Sequence, residues 1–488
     1  MATKVTPTKL ADRLLNIINL DADRLDQIDN YHQGKHRLPY MPRTADAEYK
    51  LLAKRAITNM MPLVTGTCVQ ALYVDAFRPG TGKGGRQAAS TTSPQWDFWQ
   101  RSRLDARQMA VYRDGLAFGH VFVAVGKDAN GKAAARALSP LRTAALFRDP
   151  SNDEEPYAVL TINAYPSDNG DRKVPGEATL WDGTHRYDLE FGETIKVVDS
   201  EEHGADRCPV VRFAPYVDLE GRTIGLVEPL IPLNDRINQT VFDLLVAQTY
   251  SSFKVRFVTG MAPPMETEMV EEDGEVKVKV KLDPNTGQPI PRKIDHNASR
   301  FLFAQDKDTK FGTLDETPLN GFIESVDMSI RHLSAIAQIP PHHLLGQIAN
   351  LSAEALQAAE TSLSRKIEEF RKSFGESWEQ VFRIAAQIEG FDGADDFHAE
   401  VIWRDVSASS LSQVGDGLGK FAEALEIPRR GLWHRVPDVS QGELDEWERL
   451  YEEDQAQRKA EAQLAQAVSG TGAGAQRPPR RTRTTEEQ

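Results

Sequence analysis

The feature that most constrains this 488-residue chain is a long, unbroken helical pattern in its C-terminal third. Apolar residues recur at gaps of three and four from Ala359 to Ile388. Ser352 suits the N-cap of this helix, and Glu354 suits its first turn. The pattern predicts one helix of about 36 residues and ~54 Å at ~1.5 Å per residue. Such a rod is longer than a small compact domain needs.

The segment that leads into this helix, IAQIPPHHLLGQIANLSAEALQAAE (336–360), carries a firm break. Pro340 and Pro341 disfavour continuation of the incoming helix. A metal site, a catalytic loop and a mobile loop between two rigid helices would each explain the break. Adjacent His342 and His343 do not share a helical face, and a zinc site needs three or four convergent ligands. With Glu354 as the nearest acidic candidate, the sequence favours a helix-to-loop turn, and we expect no metal.

The remaining patterns predict an α+β fold that is mainly α. Helical periodicity dominates the N-terminal quarter, and short strand-like runs occupy about 119–214. Helical patterns return at 229–253 and 317–340, on either side of a β-rich insert in which Val and Lys alternate. In the second of these helices, an apolar stripe opposes a polar stripe formed by Glu324, Asp327, Arg331 and Ser334. A strand and further helices follow the long rod, and a Pro/Gly-rich tail is expected to be disordered.

Composition excludes several classes of protein. The formal net charge is −14, whereas proteins that hold nucleic acid through its phosphates are usually basic. We therefore expect any contact with DNA to be loose or local. Cys68 and Cys208 are far apart and indicate neither a zinc site nor a disulfide, which is typical of a reducing cytoplasm. No apolar run approaches the ~18–20 residues of a membrane span, and the N-terminus does not resemble a signal peptide.

The sequence contains no convincing catalytic motif. In FRPGTGKGGRQ, a phosphate-binding loop would require Gly where Phe77 stands and Ser or Thr where Gly84 follows Lys83. The pair Asp295 and His296 lacks the second histidine that a nuclease metal site would need. No GxSxG nucleophile motif is present. We therefore expect no enzyme activity and no cofactor.

Four segments and their order resemble the portal proteins of tailed bacteriophages, in particular the siphophage-type family. These segments are YHQGKHRLPYMP, NMMPLVTGTCVQALYVDAFR (with Ala76 where Gly is common), GLVEPLIPLNDRINQTVFDLL and IPPHHLLGQIANLSAEALQAAE. The resemblance extends over roughly residues 20–455. Each segment is moderately specific by itself, and their order is far more so.

The resemblance implies a portal fold with wing, stem, clip and crown in a ring-forming subunit. The implied parts are the N-terminal wing (1–228), the first stem helix (229–257), the clip (258–316), the second stem helix (317–340), the tunnel loop (341–352), the long wing helix and strand (353–404), the crown helices (405–467) and the disordered tail (468–488).

The resemblance also implies roles for individual residues. The tunnel loop would project His342, His343, Leu344, Leu345, Gly346, Gln347, Ile348, Ala349 and Asn350 towards a central channel. The channel wall would carry the polar stripe of Glu324, Asp327, Arg331 and Ser334. Lys279 and Lys281 would be exposed on a strand of the clip. With two histidines as its only possible cations, the loop is expected to contact DNA sterically or through polar groups.

In this family the ring is usually a homododecamer at one capsid vertex. The implied partners are the large terminase, the major capsid protein and scaffold, the head–tail connector or adaptor, and the double-stranded DNA that is packaged and ejected, with no membrane. The expected location is the virion, after assembly in the host cytoplasm. Two alternatives remain: a nucleotide- or DNA-processing enzyme that uses Lys83 or Asp295–His296, and another ring-forming head–tail adaptor, although adaptors are usually shorter and lack the long helix.

Overall fold

A computed structural model describes most of the chain. The described residues are 5–42, 46–80, 93–152, 155–168, 170, 173–251, 256–259, 265–272, 275–290, 310–313, 318–346, 353–404, 411–436 and 439–471. The fold is mixed α/β and about half helical. Within the described residues, no helix combines the length and apolar character needed to cross a bilayer.

Eleven α-helices are present in the described residues. They are α1 (Pro7–His32), α2 (Ala47–Arg55), α3 (Met61–Val69), α4 (Pro94–Arg101), α5 (Leu104–Phe118), α6 (Ile231–Ser251), α7 (Asn320–Ala337), α8 (Pro341–Leu345), α9 (Ala353–Glu389), α10 (Leu411–Ala424) and α11 (Gln441–Thr471). Short 3₁₀ turns cover Pro140–Arg142, Glu228–Leu230 and Arg429–Arg435.

The same described ranges contain sixteen strands, and all the pairings among them are antiparallel. They are β1 (Val74–Arg78), β2 (Val121–Lys127), β3 (Ala133–Leu138), β4 (Thr143–Leu146), β5 (Ala158–Ala164), β6 (Ser167–Asp168), β7 (Lys173–Val174), β8 (Gly176–Trp181), β9 (His185–Phe191), β10 (Lys196–Glu202), β11 (Val210–Phe213), β12 (Arg256–Thr259), β13 (Thr267–Glu272), β14 (Glu275–Val280), β15 (Lys310–Thr313) and β16 (Glu400–Trp403).

The chain divides into two compact units. The first comprises 1–37, 58–237 and 328–488, and the second comprises 38–57 and 238–327. Helices α6 and α7 each contribute residues to both units. Residues 38–57, which the resemblance assigned to the wing, thus group with parts of the stem and clip segments.

An aromatic core along α9 organises the first unit. Trp378 of α9 meets Trp99 edge-on at 4.9 Å and Phe213 at 4.5 Å between ring centroids. Its indole N–H donates to the hydroxyl of Tyr112 at 2.8 Å, and that hydroxyl donates to Gln108 at 3.1 Å. Every polar atom in this chain of hydrogen bonds has a partner, so the buried polar groups are compatible with the apolar core.

In the described part of the first unit, two larger sheets accompany the two-stranded pairs β1–β16 and β6–β7. The larger sheet has the order β10-β9-β8-β5-β4, and the smaller has the order β11-β2-β3. Helix α1 packs Leu10, Leu14 and Ile18 against the larger sheet, where they join one buried apolar cluster with Leu160 and Leu180. The spacing of the three α1 residues at intervals of four places them on one helical face.

The second unit has a small core of its own. Leu52, Ala53 and Ala56 cluster with Phe242 of α6. The β-rich insert supplies two antiparallel pairs, β12–β15 and β13–β14. The alternation of Val and Lys predicted a strand here, and β14 is that strand.

Four features of the helices differ from the sequence-based predictions. The helical pattern of the N-terminal quarter is interrupted between α4 and α5 at Arg103, which adopts a left-handed conformation with φ of 55°. The first stem helix was expected over 229–257, but α6 ends at Ser251 and 256–257 belong to β12. Helix α7 ends at Ala337 rather than at Pro340. Helix α11 runs to Thr471, so 468–471, which were expected in the disordered tail, are helical, and 472–488 lie outside the described residues.

Candidate functional site

The most distinctive site is the junction of α7, α8 and α9, which contains the break seen in the sequence. Helix α7 closes with two backbone bonds: Gln338 N donates to Ala335 O at 3.3 Å, and Ile339 N donates to Ser334 O at 3.0 Å. This pattern is a Schellman motif. The residue in the left-handed position is Gln338, with φ of 55°, where glycine is usual. The helix is therefore ended by backbone reversal before the prolines are reached.

Side chains from both helices hold this reversal in place. The ammonium of Lys366, on α9, donates to Ala337 O at 2.6 Å, although Lys366 is only 6% exposed. The hydroxyl of Ser334 donates to Ile339 O at 2.5 Å. A cation at the C-terminus of a helix is favourable because the last carbonyl groups carry partial negative charge. Burial lowers the pKa of Lys366, partly offset by Cys68 and Glu369.

The two prolines begin a new helix instead of a loop. Helix α8 has Pro341 at its first position, where a missing N–H is tolerated, and Leu344 is buried where α8 contacts α3. Gly346 follows as a C-cap with φ of 64°, and its N–H donates to His342 O at 3.1 Å. The prediction that the tunnel loop starts at Pro341 is therefore wrong for 341–345, which are helical.

A histidine pair and one carboxylate converge beside α8. The rings of His342 and His343 lie 4.4 Å apart between centroids. Their Nε2 atoms lie 2.8 and 3.0 Å from the same oxygen, Oε1 of Glu360 on α9. All three side chains are partly exposed. His342 is the least exposed of them, with 14% of its side-chain surface accessible to solvent. Because α8 turns both imidazoles towards α9, residues adjacent in sequence share one partner.

Four of the predicted loop residues, Gln347, Ile348, Ala349 and Asn350, lie outside the described residues. The predicted cap at Ser352 lies outside them too, as do Lys83, Asp295 and His296. The structure therefore places only the first part of the predicted tunnel loop, from His342 to Gly346, of which Leu345 is half-buried.

The polar stripe of α7 is only partly as predicted. Glu324, Asp327 and Arg331 are exposed. Ser334 is 2% exposed and hydrogen-bonded within the junction, so its assignment to an exposed stripe is wrong. Its short hydroxyl side chain fits a buried position because the Ile339 carbonyl satisfies it.

The two lysines that were predicted to lie in the clip, Lys279 and Lys281, are both exposed. Lys279 belongs to β14, opposite Glu268 of β13. Lys281 lies just beyond the end of the strand, where its ammonium is 3.4 Å from Glu266. The prediction that both lie on the strand holds for Lys279 alone.

The sequence reasoning missed Lys366 and Glu360. Both residues project from α9 towards the junction, and nothing in their spacing distinguishes them from the other charged residues of that helix. Their roles depend on how α7 and α8 fold back against α9, which periodicity does not encode. The one sequence signal for this site was that the histidine pair shortly precedes a long helix rich in charged residues, which could supply a partner.

Comparisons with known proteins agree over most of the chain. The family described as "Phage portal protein, SPP1 Gp6-like" matches residues 11–460. The portal protein of Mycobacterium phage D29 is 25% identical over 468 residues, which cover 92% of this chain and 90% of the relative. The portal protein of Mycobacterium phage L5 is 26% identical over 386 residues, with 74% of each chain covered.

Proposed function

This chain belongs to the SPP1 Gp6-like family of phage portal proteins, and on that premise we propose that it forms the ring through which double-stranded DNA enters and leaves the capsid. Proteins of this family are structural components of the phage particle and not enzymes. The observation that carries the proposal is the family match over 11–460, which spans both stem segments and the long helix.

The ring is proposed to contain twelve copies at one capsid vertex. A closed ring requires a heterologous interface, in which different surfaces of neighbouring copies meet. Twelve chains of 54.3 kDa would give a particle of about 650 kDa. Light scattering and negative-stain imaging of the purified protein should show that mass and an axial hole. Only monomers or dimers under all salt conditions would contradict the proposal.

The channel wall is proposed to include the exposed polar residues of α7. Glu324, Asp327 and Arg331 carry mixed charges. Together with the net charge of −14, they offer DNA no continuous basic track, so the polyanion can slide without being held. Substitution of Glu324 and Asp327 by lysine should slow the passage of DNA through the ring. The control is Glu461→Lys, at an exposed position of α11, which should leave the rate of passage unchanged.

The insert between α6 and α7 is proposed to dock the large terminase and later the head–tail connector. Two observations support this proposal. The insert lies between the two proposed stem helices in the chain, and it contains the paired strands β13 and β14, on which Lys279 is exposed. Deletion of 265–290 should leave rings that no longer capture terminase. Unchanged capture by such rings would refute this assignment. Contacts with the major capsid protein and scaffold are proposed for other surfaces and should survive the deletion.

The family match also weighs against the two alternatives. An enzyme that used Lys83 would hydrolyse nucleotides and lose that activity in Lys83→Ala. A head–tail adaptor would not be expected to match a portal family over this length. Purified chain with no hydrolysis above background would exclude the enzyme, whereas the portal-family match over 11–460 is what argues against the adaptor.

A further inference from the structure

We propose that His342, His343 and Glu360 form a binding site for one Zn²⁺ ion per chain. In the described part of the chain, these residues are the one group of three potential ligands whose donor atoms lie within 4.8 Å of one another. Two imidazole nitrogens and one carboxylate oxygen form a donor set that suits zinc. The site does not depend on the proposed function of the chain.

The distances are close to those that a metal would impose. Zinc binds nitrogen and oxygen ligands at ~2.0–2.1 Å, so two ligands of a tetrahedral ion lie about 3.3 Å apart. The Nε2 atoms of His342 and His343 are 2.8 and 3.0 Å from Glu360 Oε1. Each of these two nitrogen–oxygen distances would therefore need to widen by only a few tenths of an ångström in a zinc complex.

The hydrogen-bonded arrangement is itself informative about the ligand. A carboxylate can only accept hydrogen bonds, so both Nε2 atoms must carry a proton when they bond to Glu360. Zinc would bind the same two nitrogens and the carboxylate oxygen once each imidazole carries its proton on Nδ1 instead of Nε2. Three protein ligands leave a fourth position for water.

The helices that carry the ligands restrict the positions of all three. The histidines belong to α8, which is anchored by the burial of Leu344 and closed by Gly346, and Glu360 belongs to the long helix α9. Bound zinc would link α8 to α9 immediately before 347–352. As a consequence, the attachment of α8 to α9 would depend on the metal. Helix α8 is the first part of the segment that the family resemblance assigns to the tunnel loop.

The test uses the untagged full-length chain, stripped with a chelator and dialysed against Zn²⁺. We expect one zinc per chain by elemental analysis, and X-ray absorption should show two imidazoles and one carboxylate. Glu360→Gln, which keeps the side-chain shape, and His343→Ala should each weaken zinc binding by at least about tenfold. Exposed His398 provides the matched control, because His398→Ala should bind as the unchanged chain does.

Mg²⁺ should not compete, because it prefers an octahedral set of oxygen ligands. The inference is overturned if the stripped chain takes up no stoichiometric zinc. It is also overturned if Glu360→Gln and the His342→Ala/His343→Ala double variant retain zinc as well as His398→Ala does. Ring formation is measured separately by light scattering, so a failed zinc site leaves the portal proposal intact.

Discussion

Replacement of Lys366 by methionine tests whether one buried ammonium holds the end of α7. Methionine retains most of the length and apolar contact of the lysine stem, including its position near Phe370, but removes the donor to Ala337 O. A hydrogen bond from a charged group contributes ~1.5–3 kcal/mol. The lowered pKa of Lys366 shows that burial opposes its charge, so part of that gain is offset.

The net local effect should be on the order of 1–2 kcal/mol, which corresponds to roughly 5–30-fold faster opening. Hydrogen exchange at the amides of Gln338 and Ile339 reports this opening, because both amides form the bonds that close α7. The matched control is Lys372→Met on the exposed side of the same helix, which should leave these amides unchanged. Equal exchange in the two variants, or no acceleration in Lys366→Met, would refute the reasoning.

The pH dependence supplies an independent check. The folded-state pKa of Lys366 lies below its ordinary value of 10.5, so the unfolded chain binds more protons between those two values. The stability of the unmodified chain should therefore rise with pH through that window. Lys366→Met lacks this contribution, so the difference in melting temperature between the two proteins should widen as the pH approaches 10.5. A difference that is constant across this range would contradict the assigned cause.

Four further predictions concern the same region and α9. Gln338→Gly should raise stability by about 1 kcal/mol in thermal melts, because it relieves a left-handed conformation. Burial raises the pKa of Glu379 to about 7, so the chain should lose stability as pH rises from 4.5 through 7, and Glu379→Gln should abolish that loss. Gly346→Pro should open α8 more than Gly346→Ala in hydrogen exchange, because proline cannot adopt a φ of 64° and lacks the N–H that bonds to His342. The His342→Ala/His343→Ala double variant should still assemble into rings by light scattering.

Regular periodicity was the most reliable guide to this fold. The long helix was expected to contain about 36 residues, and α9 contains 37. This agreement arises because a single apolar stripe, from Leu363 to Ile388, faces the aromatic core without interruption. At Gly375 the helix continues unbroken, and an added Cβ there would meet Val401 at 3.4 Å, an ordinary van der Waals contact.

The features that the sequence did not reveal depend on contacts between distant segments. Gln338 has no intrinsic preference for a left-handed conformation, and the reversal there is stabilised by Lys366, 28 positions later. Arg103 interrupts a pattern that is otherwise helical, where Trp99 donates to Asp105 across the break. The junction was identified by its prolines, but its chemistry comes from Glu360 and Lys366, which look like ordinary surface residues of a charged helix.

The hydrogen-bonded chain within the aromatic core restricts how this protein can change over evolutionary time. Trp378, Tyr112 and Gln108 each satisfy the next, and Gln108 also accepts from Val74 N at 2.8 Å. A single replacement of Tyr112 by phenylalanine would leave the Trp378 N–H without its acceptor in a dry interior, at a cost of ~1–3 kcal/mol. Replacement of both residues by apolar side chains of similar volume would avoid that penalty. Descendant sequences should therefore vary at these positions jointly, and single variants should be rare intermediates.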